Sequence, residues 1–425
     1  PPLRSRFGSG PDGRRKEDCL GQADGQAAAS LGPGSPQDAS NETRFMIPSA
    51  GARTLTATHS IPWRAKAMRD RMSLAVSIGL ALLVCLSTTG SARAIDQVIR
   101  KSSTTPTRGK ITAITKTGLT VKPQVGADVM VPANDIIDVR WDGEPAKLIT
   151  ARGADHAASF TRALAAYADV ATDSKSNTPN IKLDLQFLVA RATAGQALAG
   201  AGKLEDAKAR LEAFLQVGGS SFRYFAAVGL LGRVELASGN HDQAQAQFTT
   251  LASAPWLDTK MAGQGALARV LLARNSVDEA LAAYQAVITQ AGTSTEASVK
   301  GQKYAAVLGK STCLIRKQGQ ASYETALKDL EGVLTEVPDS NSQVLAEAYL
   351  RQGDCLRLLG RQKAAVLAYL HVDLLFAAQA PLHAESLYHL GTLWSAVGHP
   401  ERAASARERL RSDYPESPWT KKLGS

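Results

Sequence analysis

Gly239-Asn240-His241-Asp242-Gln243-Ala244-Gln245-Ala246-Gln247-Phe248 is the stretch whose reading decides the fold of this chain. A turn residue is followed five positions later by a small Ala, and four further on by a large apolar residue. The spacing recurs as Gly202, Ala207, Leu211; as Asn275, Ala280, Tyr284; and as Gly360, Ala365, Tyr369. It returns once more as Gly398 and Ala403, with Arg407 in the last place. The alanines at 207, 244, 280, 365 and 403 lie 37, 36, 85 and 38 residues apart, and a further copy centred on Ala326 falls inside the long interval. Residues four apart share a helix face, so Ala and the large residue pack together on one side. The turn residue must tolerate positive φ, which Gly supplies freely and Asn acceptably. Ahead of each turn, Leu231-Gly232, Leu267-Ala268 and Leu390-Gly391 hold equivalent places, and Gly195 and Gly353 match the small position. Each unit therefore consists of two amphipathic helices that bury their apolar faces by stacking on neighbours.

A period of this length with these residue types resembles the tetratricopeptide repeat, a pair of antiparallel helices repeated about every 34 residues. The resemblance implies a mainly α, right-handed solenoid over 153–420, with about six units between 181 and 416 and one helix near 153–172 before them. Ala163-Leu164-Ala165-Ala166-Tyr167 in that helix returns as Ala280-Leu281-Ala282-Ala283-Tyr284. Pro338 and Pro415 fall where the family ends a repeat, since proline stops a helix. The early Trp of the family pattern is missing, Gln318–Thr325 reads as an insertion in a turn, 172–180 is a polar loop, and 291–300 is a long connection.

The start of the chain concerns location. Arg69 and Arg71 precede an apolar run of 13 residues, Leu74–Leu86, which Ala92-Arg93-Ala94 closes. A basic start, a short apolar core and a small-residue cleavage site describe a secretory signal peptide over 68–94. The core is shorter than the roughly 20 residues of a membrane span, so the segment touches a membrane only if it stays uncleaved. Val84 stands before Cys85 where lipid attachment needs a small residue. Residues 1–67 are rich in Gly, Ser, Pro and Arg with no apolar period, either a disordered tail or a stretch upstream of a true start at Met68 or Met72. The whole chain carries 49 basic and 39 acidic residues. Residues 1–94 hold 12 of the former and 7 of the latter, which leaves 37 and 32, or +5, for the remainder. That mild balance, without a dense basic run, argues against nucleic acid as partner.

Between 95 and 150 the period changes to alternation. Lys110–Thr115, Leu119–Lys122, Asp128–Pro132 and Ile136–Trp141 read as four short strands of a small antiparallel β domain, SH3-like or a simple sheet. Its sequence is similar to β modules of exported repeat proteins of planctomycete-type bacteria. It is either a peptide- or glycan-contacting module or a cap over the first helix, and the cap reading is preferred because repeat arrays need one for solubility.

No G-x-S-x-G, H-E-x-x-H, phosphate-binding loop or C-x-x-C occurs, so neither a catalytic centre nor a cofactor is expected. Glu385 and His389 share a helix face, but without further ligands nearby they read as packing residues rather than a metal site. Cys313 and Cys355 stand in equivalent places on consecutive first helices. Such helices lie about 8–10 Å apart, beyond the roughly 7 Å that a disulfide spans, so two buried free thiols are expected.

The resemblance places the partner-binding groove on the first helices and implies Gln196, Arg233, Arg269, Asp354, Arg357, Glu385 and Tyr388 as its contacts. Arg233 and Arg269 hold one register position in consecutive units, which Gln196, Thr312, Asp354 and Thr392 hold elsewhere. Two arginines in register either clamp carboxylates or lie as solvated side chains along the helix surface. Tyr414-Pro415-Glu416-Ser417 resembles the repeat end of envelope tetratricopeptide proteins, including Tol-Pal-associated coordinators and outer-membrane assembly lipoproteins. The expected function is a non-enzymatic exported scaffold of the periplasm or cell envelope that binds another protein or an extended peptide. The alternative is an auxiliary binding subunit of an envelope enzyme or sugar-binding protein. If Ala92-Arg93-Ala94 is the cleavage site, amino-terminal sequencing of chain recovered from the envelope starts at Ile95. Recovery with membranes of a chain that keeps Leu74–Leu86 would identify an anchor instead.

Overall fold

The computed structural model describes residues 95–424. The signal-peptide reading of 68–94 and the stretch 1–67 lie outside the described residues. Six strands open the described chain: β1 (Gln97–Arg100), β2 (Thr107–Arg108), β3 (Lys110–Thr115), β4 (Gly118–Lys122), β5 (Val129–Pro132) and β6 (Ile136–Arg140). They form two antiparallel three-stranded sheets, ordered β2-β1-β6 and β3-β4-β5. The four expected strands are present, and β1 and β2 are additions. Each addition is too short to show a period, and Val98 alone of β1 is fully buried. Leu119 faces Val131 across β4 and β5, and Val121, Ile136, Val139 and Trp141 complete the buried apolar set.

Fifteen helices follow. The expected single helix near 153–172 is in fact a hairpin, α1 (Lys147–His156) and α2 (Phe160–Ala171). Helix α1 thus begins inside the stretch assigned to the β domain. The break falls at Ala158, whose φ is 54°, and the amide of Ser159 donates to the Ala154 carbonyl at 2.9 Å. Ala163 and Tyr167 then stand five and nine residues after Ala158, the spacing that Gly239 and Asn275 also show to their Ala and ring. The turn was hidden because alanine is an unusual residue for positive φ.

Six further hairpins carry the array. They are α3 (Pro179–Leu198) with α4 (Leu204–Val217), α5 (Tyr224–Ala237) with α6 (His241–Ala252), and α7 (Leu257–Ala273) with α8 (Val277–Ala291). Then come α9 (Ala297–Lys317) with α10 (Gln320–Glu336), α11 (Ser342–Leu358) with α12 (Gln362–Leu375), and α13 (Ala380–Ala396) with α14 (Pro400–Asp413). A short α15 (Pro418–Leu423) ends the described chain. Five of the six turns share one bond pattern: Asn240, Ser276, Arg361, His399 and Ala201 each donate from the amide to the carbonyl five residues back. This six-to-one bond is the Schellman closure, and it needs positive φ one residue earlier. Gly239 supplies it at 78° and Asn275 at 63°. In the first of these units the residue is Gly200, at 80°, and not Gly202 as expected. The remaining turn runs through Gln318 and Gly319, at 61° and 98°. The supposed insertion there is helix: α10 is longer at its start, so Ala326 stands farther from its turn.

Stacking depends on missing side chains. A Cβ added to Gly232 would lie 2.5 Å from the Phe248 ring, one on Gly353 2.6 Å from Tyr369, and one on Gly309 2.3 Å from Tyr284. The aromatic of a second helix therefore rests directly on a first-helix backbone, and all three rings are buried. Cys313 and Cys355 are buried free thiols, and burial pushes them up to about 11 and about 12.

The β domain is joined to the array through a continuous core from Val98 across Leu148 to Phe187 and Val234, and through a buried polar hub. Asp184 of α3 accepts from Trp141 Nε1 at 3.1 Å, from Arg223 Nε at 3.0 Å and from Arg152 at 3.4 Å. Arg223 also donates to the Ile137 carbonyl at 3.0 Å, and Arg152 grips Glu144 through two bonds of 2.8 and 3.0 Å. No described helix is long and apolar enough to cross a membrane.

Gly353→Ala is expected to destabilise the chain by about 1–3 kcal/mol, because the new methyl overpacks against Tyr369. Gly301→Ala, in helix α9 with open space at its Cβ, should stabilise by up to about 1 kcal/mol. Urea melts of the two variants against the parent check the pair; equal shifts would refute the seating of the rings.

Candidate protein-binding groove

Two adjoining hollows run along the first helices and share Arg269. One, of about 420 Å³, lies between the β domain and helices α5 and α7, and is lined by Lys101, Asn134, Phe225, Arg233 and Trp256 among others. The second, of about 660 Å³, continues over α7, α9, α11 and α13 past Tyr284, Arg316, Glu347, Arg351 and Glu385. Together they form a groove. Of the seven contacts expected from sequence register, Arg233, Arg269 and Glu385 line these hollows, and Gln196, Asp354, Arg357 and Tyr388 do not.

Arg233 and Arg269 both line the groove, and both reach solvent. Neither makes an ion pair among the described residues; Arg269 meets the Tyr284 hydroxyl instead. Crowding by the groove walls, and then the like charge of Arg269, lower the Arg233 guanidinium from its ordinary value. An incoming carboxylate would oppose both effects.

The other expected contacts are engaged within the molecule. Gln196 donates to Thr161 Oγ1 of α2 at 3.0 Å. Asp354 is buried, although it holds the register place of Arg233. It accepts the Tyr369 hydroxyl at 2.8 Å and is paired with Arg351. Arg357 stands 3.9 Å from the same carboxylate. Arg351 also holds Glu385 through two bonds of 3.0 Å; burial pushes Glu385 up, and Arg351 offsets only part of that. Tyr388 packs on Trp419 of α15 at 5.1 Å between ring centroids. His389 stacks on Tyr369 at 4.9 Å, and burial lowers it to about 4. Glu385 and His389 thus meet one cluster, in which Glu385 binds Arg351 and His389 Nε2 lies 3.6 Å from Asp354 Oδ1. Among the described residues no group of three or more His, Cys, Asp or Glu could hold a metal ion.

Sequence register did not find Lys101 or Asn134, which come from β-domain loops, nor Arg351. The last had a signal, since Arg351 and Asp354 are three apart on one helix face.

No protein-family model matches the chain, and no curated protein does. A tetratricopeptide repeat protein from Parabacteroides merdae is similar in structure at 14% identity and TM-score 0.44, covering 65% of this chain and 95% of the other. The apo form of RapI gives 14% identity and TM-score 0.39, over 65% of this chain and 78% of its own. A Rap protein complexed with competence and sporulation factor gives 16% identity and TM-score 0.42, over 65% and 77%. The array itself is a run of stacked antiparallel helix hairpins.

The His389 environment yields a pH dependence. Its imidazole stays neutral in the folded array down to about pH 4, whereas in the unfolded chain it takes a proton near 6.5. The unfolded state then binds more protons between these values, so stability is complete above about 6.5 and falls as pH drops toward 4, by on the order of 3 kcal/mol. Urea midpoints across this range should slope less in His389→Phe, which retains the ring stack. An imidazole resonance of His389 titrating near 6.5 in the folded protein would refute the assignment.

Proposed function

We propose that this chain is a non-enzymatic, exported scaffold of the bacterial cell envelope, of the planctomycete-like type, which binds an extended protein segment along the groove. The observation that carries the reading is the pair Arg233 and Arg269: two cations in register, without carboxylate partners among the described residues, on the wall of an open hollow. Within the same molecule Arg351 is locked between Asp354 and Glu385. Arg152 and Arg191 are likewise paired with acids, so an arginine kept apart from them is available for a ligand. Export is supported by the basic start, apolar core and Ala92-Arg93-Ala94 of the amino-terminal region.

Charge-assisted hydrogen bonds contribute about 1.5–3 kcal/mol each. The double variant Arg233→Ala/Arg269→Ala should therefore lose more than tenfold in affinity for a partner captured from envelope extracts. Added salt should weaken the parent more than the variant, because exposed charges are screened over about 8–10 Å. The fold should hold or gain slightly, since two repelling charges are removed. Calorimetric titration at two salt concentrations with a parallel thermal melt measures both. Equal affinities of parent and variant would show that these arginines are only solvated surface.

A further inference from the structure

The β domain does more than close the first helices: we infer that it supplies one wall of a composite peptide site, which takes a carboxylate beside an aromatic side chain. The inference rests on the groove reading and names the segment that the groove would hold.

Three features of the smaller hollow point the same way. Its apolar side is preformed, with Phe225 and Trp256 set edge to face at 5.7 Å and 84°. Ala226 and Ala262, from α5 and α7, leave the space between these rings and the opposite wall. Its charged side is cationic from both parts of the molecule, Lys101 from the loop after β1 and Arg233 and Arg269 from the array. The acid that lines it, Asp258, is buried and already accepts from Asn134 Nδ2 at 3.0 Å and from the Thr259 amide and hydroxyl at 2.6 and 3.1 Å.

Asn134 supplies the third feature. Its Nδ2 is fixed on Asp258, which turns Oδ1 into the hollow's wall, buried and without a hydrogen-bond partner among the described residues. A buried acceptor left unmade is costly, and the group that suits it is an N–H. An extended peptide offers backbone N–H, carboxylate and ring together at adjacent positions. Those are the chemistries of Asn134, of the three cations and of the Phe225–Trp256 pair. Burying the ring would strengthen the carboxylate contacts by drying them.

Four pools of fluorescent decapeptides test this, random except for a central pair that is Glu-Phe, Gln-Phe, Glu-Ala or Lys-Phe. Binding to the full chain is read by fluorescence anisotropy. The Glu-Phe pool should bind at least tenfold more tightly than the other three. Lys101→Glu should weaken it about tenfold, and Ala226→Trp, which fills the space beside Phe225, should abolish it, with thermal melts unchanged. Lys101→Ala, a milder change at an exposed side chain, should cost about threefold. Loss of binding in Arg233→Ala/Arg269→Ala without loss in Lys101→Glu and Ala226→Trp would leave the groove reading standing and overturn the composite site. No preference among the pools would also overturn the composite site. Glu-Phe binding indifferent to all of these substitutions would overturn both.

Discussion

Asp184 is the constraint on which the arrangement of this molecule depends. It is a carboxylate almost wholly removed from water, and it receives donors from three directions: the indole of Trp141, Arg152 of the first hairpin, and Arg223 of the loop before α5. A buried charge with several donors is tolerable, whereas one stripped of a partner costs about 3–5 kcal/mol. Every donor must therefore arrive together, and that fixes the β domain against two successive hairpins. Asp138 extends the same logic. Burial pushes its carboxyl up, but the His156 hydrogen bond and the Arg223 and Arg152 charges outweigh burial and hold it below the usual range. The apolar core supplies much of the adhesion, and the charges supply the orientation. Without that orientation Lys101 and Asn134 would not face Arg233 across one hollow.

Much of the array was legible because its physical requirements are local. Positive φ at Gly239 or Asn275, a small Ala five residues on and a ring four beyond are all properties of neighbouring residues, and they recur. Where an unusual residue meets the requirement, as Ala158 does, the sequence pattern shows one helix and the structure a hairpin. The Gly202 assignment failed for a related reason: with Gly200 two residues earlier, composition does not say which glycine carries the strained angle. Strands β1 and β2 escaped because pairing, and not alternation, creates them.

The groove was legible only in part. Register identifies which positions share a face, and it sets Arg233 and Arg269 along one hollow. It does not say which of those positions another side chain has already claimed. Asp354 occupies the place of Arg233, yet the Tyr369 hydroxyl below and Arg351 one turn earlier draw it inward. Arg357, Glu385 and Tyr388 are engaged by the same cluster and by Trp419. Contacts contributed by loops of the β domain had no register to betray them.

The ends of the array lead to one last consequence. A stack of like hairpins exposes at each terminus a surface that a further copy of itself would fit, so the default fate of such a stack is open-ended growth. Here the first hairpins are covered by the β domain, and α15 lays Trp419 over Tyr388 and His389 on the last first-helix. A stack closed by unlike pieces at both ends has no head to meet a tail. Among the described residues, neither end face is left in the form that a further copy of the hairpin would fit.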